Sequence, residues 1–191
     1  MRIEGVDIPI NYKSYDTPPQ FLDCRTNFSE EEMKILRKGY SLNVLSGALT
    51  ASLIFGSSLF FGIYLLSLKE IAANSITYLM LLAFGIIFMV SGFSYALKIL
   101  LRYTKKDFGV CDGVLLETFQ AIYRNPGARR GSSRSCVSAW FPYTGQYCSK
   151  IKYGGIKDWN VDNYNPGDEV KVYRINQYEV FAMCSPRQYR C

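Results

Sequence analysis

Six cysteines, no histidine and a scatter of carboxylates bound the chemistry open to this chain of 191 residues. Without histidine, the usual neutral-pH general base and the commonest nitrogen ligand for metals are missing, which removes most hydrolase triads and most zinc sites. The cysteines are Cys24, Cys111, Cys136, Cys148, Cys184 and Cys191. No two have C-x-x-C spacing, so neither a zinc ribbon nor a thioredoxin-like motif is expected. A cysteine nucleophile needs an activating base and finds no imidazole here. Asp112, Glu117, Asp158 and Asp162 offer carboxylates, but no spacing marks two of them as an acid–base pair. The expectation is a protein without catalytic residues, cofactor or metal, and therefore not an enzyme.

Binding chemistry is better represented. Arg124, Arg129, Arg130 and Arg134 fall in one Gly/Ser-rich stretch, and with Arg102, Lys105 and Lys106 they account for most of the net charge of +6. Such a cluster is either a solvated hairpin tip or an attraction for phosphate, with lipid headgroups ranked ahead of nucleic acid. The glycine spacing lacks the Lys-Ser/Thr step of a P-loop. Tyrosine is abundant at 15 copies. Trp140, Phe141, Tyr143, Tyr147, Tyr153, Trp159 and Tyr164 are more aromatic surface than a small core takes in. Trp140, Phe141, Tyr143, Tyr147, Trp159 and Tyr164 are therefore expected at a protein interface, with a nucleic-acid stacking platform ranked below it.

Two elements dominate the positioning of these residues. Between residues 41 and 101 the only charges are Lys69, Glu70 and Lys98. The run 41–68 is uncharged; as a helix its roughly 28 residues reach about 42 Å, more than the roughly 30 Å of a hydrocarbon core. The run 76–101 is similar, with Lys98 near enough to its end to snorkel. Neither run shows the polar face of a soluble helix. Two transmembrane helices are expected, joined by the short link 69–75 as an antiparallel hairpin, with both chain ends on one side of the bilayer. Tyr64 and Tyr78 flank the link, and Tyr40, Tyr95 and Tyr103 mark the other interface. Seven lysines and arginines lie beside the outer ends of the helices against one at the link, which predicts cytoplasmic termini. The polar stretch ahead of the first run does not read as a signal peptide. Small residues recur at four-residue spacing, among them Gly47/Ala51, Ser58/Gly62 and Gly92/Ala96, so the helices pack closely on each other or on other subunits.

Residues 1–28 carry Pro9, Pro18 and Pro19 and no sustained period, and read as an extended arm. Ser29 and Glu32 form a capping box, with Phe28 and Met33 as its hydrophobic staple. A short amphipathic helix over 29–40 is expected to lead to or run into the first membrane helix. The arm and this helix form an interfacial collar or a docking arm for a partner.

Residues 108–191 change character. Strand-like runs at 110–119, 136–141, 146–153, 169–175 and 178–183 alternate with turn signals such as Asn165-Pro-Gly-Asp168. A small antiparallel barrel or curled sheet is predicted. Cys136 and Cys148 flank one predicted hairpin and are candidates for a disulfide; in a cytoplasmic domain they would be free thiols.

The run Cys111-Asp-Gly-Val-Leu-Leu-Glu117, then Val137-Ser-Ala-Trp-Phe-Pro-Tyr143, then Tyr164-Asn-Pro-Gly-Asp-Glu-Val-Lys-Val-Tyr173 resembles the DUF3592-type bacterial membrane proteins. The resemblance spans residues 111–175. It implies membrane helices joined to a small β domain, and no catalytic residues. Here both helices precede the domain, and Tyr173-Arg-Ile-Asn-Gln177 replaces the family's continuation.

The expected whole is a membrane α-helical hairpin plus a small antiparallel β domain. It would act as a non-enzymatic scaffold or assembly subunit, with the lipid bilayer and other membrane or membrane-associated proteins as partners. An oligomeric pore, or a viral envelope or inner-membrane protein with a disulfide-bonded external domain, are the alternatives.

Overall fold

The computed structural model describes residues 2–3, 5–68, 75–123, 132–154 and 164–185. The chain divides into two compact units, one formed by Lys38–Lys105 and the other by Met1–Arg37 with Lys106–Cys191.

The first unit is built from two long apolar helices. α1 runs Glu30–Ser67 and α2 Ser75–Thr104, each long and apolar enough to cross a bilayer. The short amphipathic helix expected over 29–40 forms the start of α1, the second of the two courses expected for it. It continues into the apolar run without a break at Gly39, because the run that follows supplies helix-forming residues and no proline. The helices run antiparallel, and small residues set their spacing. A Cβ on Gly47 would stand 2.5 Å from the Tyr103 side chain, and one on Gly62 would stand 2.5 Å from Met89. A Cβ on Gly92 would overlap Ser58, and one on Gly85 would stand 3.2 Å from the Gly62 carbonyl oxygen. Ala51 and Ala96 are buried in the same seam. The expected packing residues therefore face the other helix of the hairpin, and Gly85 joins them. Phe55 meets Phe93 edge-on at 5.9 Å, Phe61 meets Phe88 at 4.9 Å, and the Tyr40 hydroxyl donates to the Thr104 carbonyl at 3.0 Å.

The second unit centres on a five-stranded antiparallel sheet, in the order β5-β4-β3-β6-β7. The strands are β3 (Gly109–Tyr123), β4 (Ser132–Phe141), β5 (Gln146–Lys152), β6 (Glu169–Asn176) and β7 (Glu179–Ser185). They match the five sequence runs, with β3 and β4 extended toward each other. β3 changes partners along its length: its first residues pair with β6 from Gly109↔Arg174 to Val114↔Glu169, and the rest pair with β4. A bulge between Leu115 and Glu117 marks the change. Gly167, at φ +106°, closes the Asn165–Asp168 turn, where the Asp168 carboxylate accepts from the Asn165 amide at 2.8 Å. The sheet curls until its two edges meet at one end, where the Gly154 amide donates to the Ala182 carbonyl at 2.9 Å.

One face packs Cys111, Leu115, Val137, Ala139, Phe141, Cys148, Ile151, Val170, Val172, Ala182 and Cys184 into the core. Leu22, only 1% exposed, enters this core from the N-terminal segment. The other face carries a smaller cluster of Ile8, Leu116, Trp140 and Tyr147.

That second cluster bears on two expectations. The N-terminal segment, expected as an extended arm, is docked on the second unit's sheet. It contains two paired two-residue strands, β1 (Arg2–Ile3) and β2 (Val6–Asp7), then two 3-10 turns, Tyr12–Tyr15 and Pro19–Phe21, and it lies on the sheet. Trp140, Phe141 and Tyr147 are buried rather than displayed, because the arm and the core take up the area they offer. Cys136 and Cys148 are not bonded to each other. Cys148 lies opposite Ala139 while Cys136 lies opposite Lys152, so the two cysteines stand several rungs apart. At about 3.3 Å per residue that separation exceeds the reach of a disulfide.

Candidate functional site

The most chemically specific place among the described residues is where the arm, the first turn of α1 and strands β3 and β6 meet. Approaching it, the arm first covers the outer aromatic cluster. Tyr12 meets Tyr147 edge-on at 5.1 Å and Tyr15 meets Trp140 at 6.3 Å. The arm then turns along the β5 edge: the Thr17 amide donates to the Tyr147 carbonyl at 2.7 Å, and Asp16 accepts from the Ser149 amide at 3.0 Å and hydroxyl at 2.9 Å. These bonds satisfy edge groups that would otherwise invite another strand. Leu22 follows, its carbonyl accepting from Arg174 at 2.9 Å.

The next residue but one is Cys24, disulfide-bonded to Cys111 on β3. Gly109 makes room for it, since a Cβ there would stand 2.6 Å from that of Cys24. Arg25 then occupies the side of β3 left vacant where β4 stops. It exchanges two backbone hydrogen bonds with Val110, at 2.9 and 3.1 Å.

The Arg25 guanidinium organises the charges. It donates to Glu32 Oε1 at 2.6 Å and Oε2 at 3.0 Å, and through Nε to Asp112 at 2.9 Å. Lys171 Nζ reaches the same Glu32 Oε1 at 2.9 Å and stands 3.9 Å from Asp112. Glu32 also completes the expected capping box: the Ser29 amide donates to its carboxylate at 3.0 Å, and the Ser29 hydroxyl accepts from the Glu32 amide at 3.2 Å. Two carboxylates and two cations thus balance at a site where the Glu32 side chain is only 5% exposed. The guanidinium of Arg25, with help from the Ser29 amide and Lys171, holds the Glu32 carboxyl down at about 2 despite its burial. Arg25 and Lys171 are raised in turn, chiefly by their hydrogen bonds to Glu32. A buried carboxylate forked by arginine and closed by lysine is a structural clasp.

The remaining core thiols are chemically quiet. Burial pushes Cys148 up to about 11 and Cys184 up to about 12, so both stay protonated at neutral pH and are poor nucleophiles. Among the described residues, no three His, Cys, Asp or Glu side chains converge as a metal site.

The other residues marked in the sequence are dispersed. Tyr143 is 92% exposed at the β4–β5 turn, beside an open groove lined by Asp112, Gly113, Pro142, Glu169 and Lys171. Tyr164 is half-buried against Tyr153, at 6.2 Å. Arg102, Lys105, Lys106 and Arg134 are exposed; Arg124, Arg129, Arg130 and Trp159 lie outside the described residues.

Sequence reasoning missed the clasp because its four charges come from three separated stretches, around residues 25–32, 112 and 171. Two signals pointed to it. Cys24 is the one cysteine ahead of residue 111, and alternation in β6 puts Lys171 on the face opposite Val170 and Val172. No family model, curated protein or solved structure matches this chain.

Proposed function

We propose that this chain is an integral membrane protein whose two-helix hairpin anchors a self-braced β unit, and that it works without catalysis as a scaffold or assembly subunit. The observation that carries the reading is the outward surface of the hairpin. Leu53 and Phe60 are each 74% exposed, and Ile76, Leu79, Phe84 and Leu101 are exposed with them. Apolar surface on that scale is costly in water and at home among acyl chains. With Trp140, Phe141 and Tyr147 covered, one surface open to a partner among the described residues is the exposed Tyr143 and the groove of Asp112, Glu169 and Lys171 beside it. The small residues are used within the hairpin, which leaves the oligomeric pore without its specific support.

A second reading of orientation rests on the Cys24–Cys111 bond. The lysine and arginine bias favours a cytoplasmic β unit. A structural disulfide favours an oxidising compartment, and with it an external domain. One experiment separates these. The Tyr143→Cys chain is labelled with a membrane-impermeant maleimide in intact cells and after permeabilisation, and membranes are extracted at alkaline pH. Retention in the pellet with labelling only after permeabilisation supports the cytoplasmic scaffold. Labelling of intact cells supports the external domain, and release into the alkaline supernatant overturns the membrane anchor. A photocrosslinker at position 143 in native membranes then tests the scaffold role, which predicts a discrete adduct that is lost when the groove is altered by Glu169→Arg, a change that leaves the clasp intact.

A further inference from the structure

The arm is held to the sheet unequally along its length. Its last part is secured by the Arg25–Val110 backbone pair and the Glu32 clasp. The part ahead of Cys24 has little structure of its own: two-residue strands and two 3-10 turns that contain no buried residue. It contributes Ile8 and Leu22 to the core, a few edge hydrogen bonds, and edge-on aromatic contacts. Ordering such a segment costs conformational entropy at every residue. Its position also carries a specific penalty: beneath it the Trp140 Nε1–H is buried with no acceptor. A donor left in that state is destabilising, and lifting the arm would return it to water. The Cys24–Cys111 bond sits at the boundary between the weakly held and the firmly held parts.

We propose that residues 5–23 are a redox-locked strap, in which reduction of the Cys24–Cys111 disulfide lets the strap lift and uncover Trp140 and Tyr147 while the Arg25–Glu32–Lys171 clasp stays closed. Cys24 is half-buried and Cys111 is 4% exposed, so an incoming thiolate reaches Cys24 first. The reductant is a dithiol. One of its thiolates attacks Cys24 Sγ; a new S–S bond forms there as the bond to Cys111 breaks, and Cys111 leaves as a thiolate that takes up a proton. The second thiol of the reductant then attacks its own sulfur in the mixed disulfide and releases Cys24 as a thiol. The protein gains two electrons and two protons, and the dithiol becomes a cyclic disulfide.

The test uses the full-length chain in lipid nanodiscs with dithiothreitol, the state of each cysteine being read by alkylation and mass. Strap opening is read by tryptic cleavage after the exposed Lys13 and by the emission of Trp140 in a Trp159→Phe background. Reduction is expected to raise the cleavage rate about tenfold or more and to shift Trp140 emission to the red. Amide exchange at Val110 and Met33 should be unchanged, and oxidised glutathione should reverse both effects. Cys24→Ser should behave as permanently reduced; if that variant fails to fold, the wild-type redox titration still decides. Three results would overturn the proposal: alkylation of Cys24 and Cys111 without reductant; verified reduction with cleavage changed by less than about twofold; or reduction that exposes the Val110 and Met33 amides together with the strap, which would mean that the whole unit unfolds.

Discussion

The helical hairpin and the arm–sheet junction solve the same problem, holding distant segments together, by opposite means. In the hairpin the contacts are shape: glycines against Tyr103, Met89 and Ser58, and two aromatic pairs across the seam. Near its open end the Tyr40 hydroxyl also donates to the Thr104 carbonyl. In the proposed lipid setting the hydrophobic effect would add little between helices, so close backbone approach is what would stabilise them. At the junction, packing is supplemented by a disulfide, a forked ion pair and a backbone bridge. The contrast teaches which perturbation each region feels. Volume should disrupt the hairpin, and charge or redox state should disrupt the junction.

The largest effect is expected from the covalent tie. Removing it by Cys24→Ser should cost about 2–4 kcal/mol in the docking of the arm, measured by chemical denaturation followed at Trp140, while far-UV helicity of the hairpin is retained. An equal loss of helicity would erase the contrast between the regions.

Next comes Glu32→Gln, which leaves Arg25 and Lys171 facing a neutral amide. It should cost about 1–3 kcal/mol, the partly exposed cations being able to recover some hydration. The same residue sets a pH dependence. Its folded carboxyl titrates at about 2, against 4.5 for an unperturbed glutamate. Because the folded value is the lower one, the stabilisation is complete above about pH 4.5 and is lost as pH falls toward about 2. Unfolding measured across that window should slope in the wild type and flatten in Glu32→Gln.

The hairpin is tested by a pair of glycines. Gly92→Ala places a methyl on Ser58 and should weaken helix association by about 1–3 kcal/mol, read by thermal denaturation in detergent. Gly56→Ala meets nothing within 4 Å and should be neutral or slightly stabilising, by about 1 kcal/mol at most. Equal effects at both positions would mean that packing across the seam is not what holds the helices.

Much of the architecture was legible in local pattern. The apolar runs, the Ser29/Glu32 capping box and the five strand segments each express a period or a turn chemistry carried by neighbouring residues. The small residues of the hairpin were legible for the same reason, since four-residue spacing puts them on one helix face. The site was mostly not. Asp112 and Glu32 were visible, but as an isolated carboxylate and a helix cap, and nothing local joins them to Arg25 or Lys171. The aromatic residues failed in the opposite direction. Their number was read as surplus surface, but Tyr12, Tyr15 and Ile8 arrive from the arm to cover Trp140 and Tyr147.

Sequence by itself therefore determined the elements: two long apolar helices and a set of alternating strands, because burial period and helix length are properties of contiguous residues. Only the tertiary structure decided which cysteines meet, which aromatics are covered, and that Glu32 is at once a helix cap and the centre of an ion-pair clasp. Those outcomes depend on segments far apart in the chain, such as residues 24 and 111, and on the vacancy that β4 leaves beside the start of β3 for Arg25 to fill.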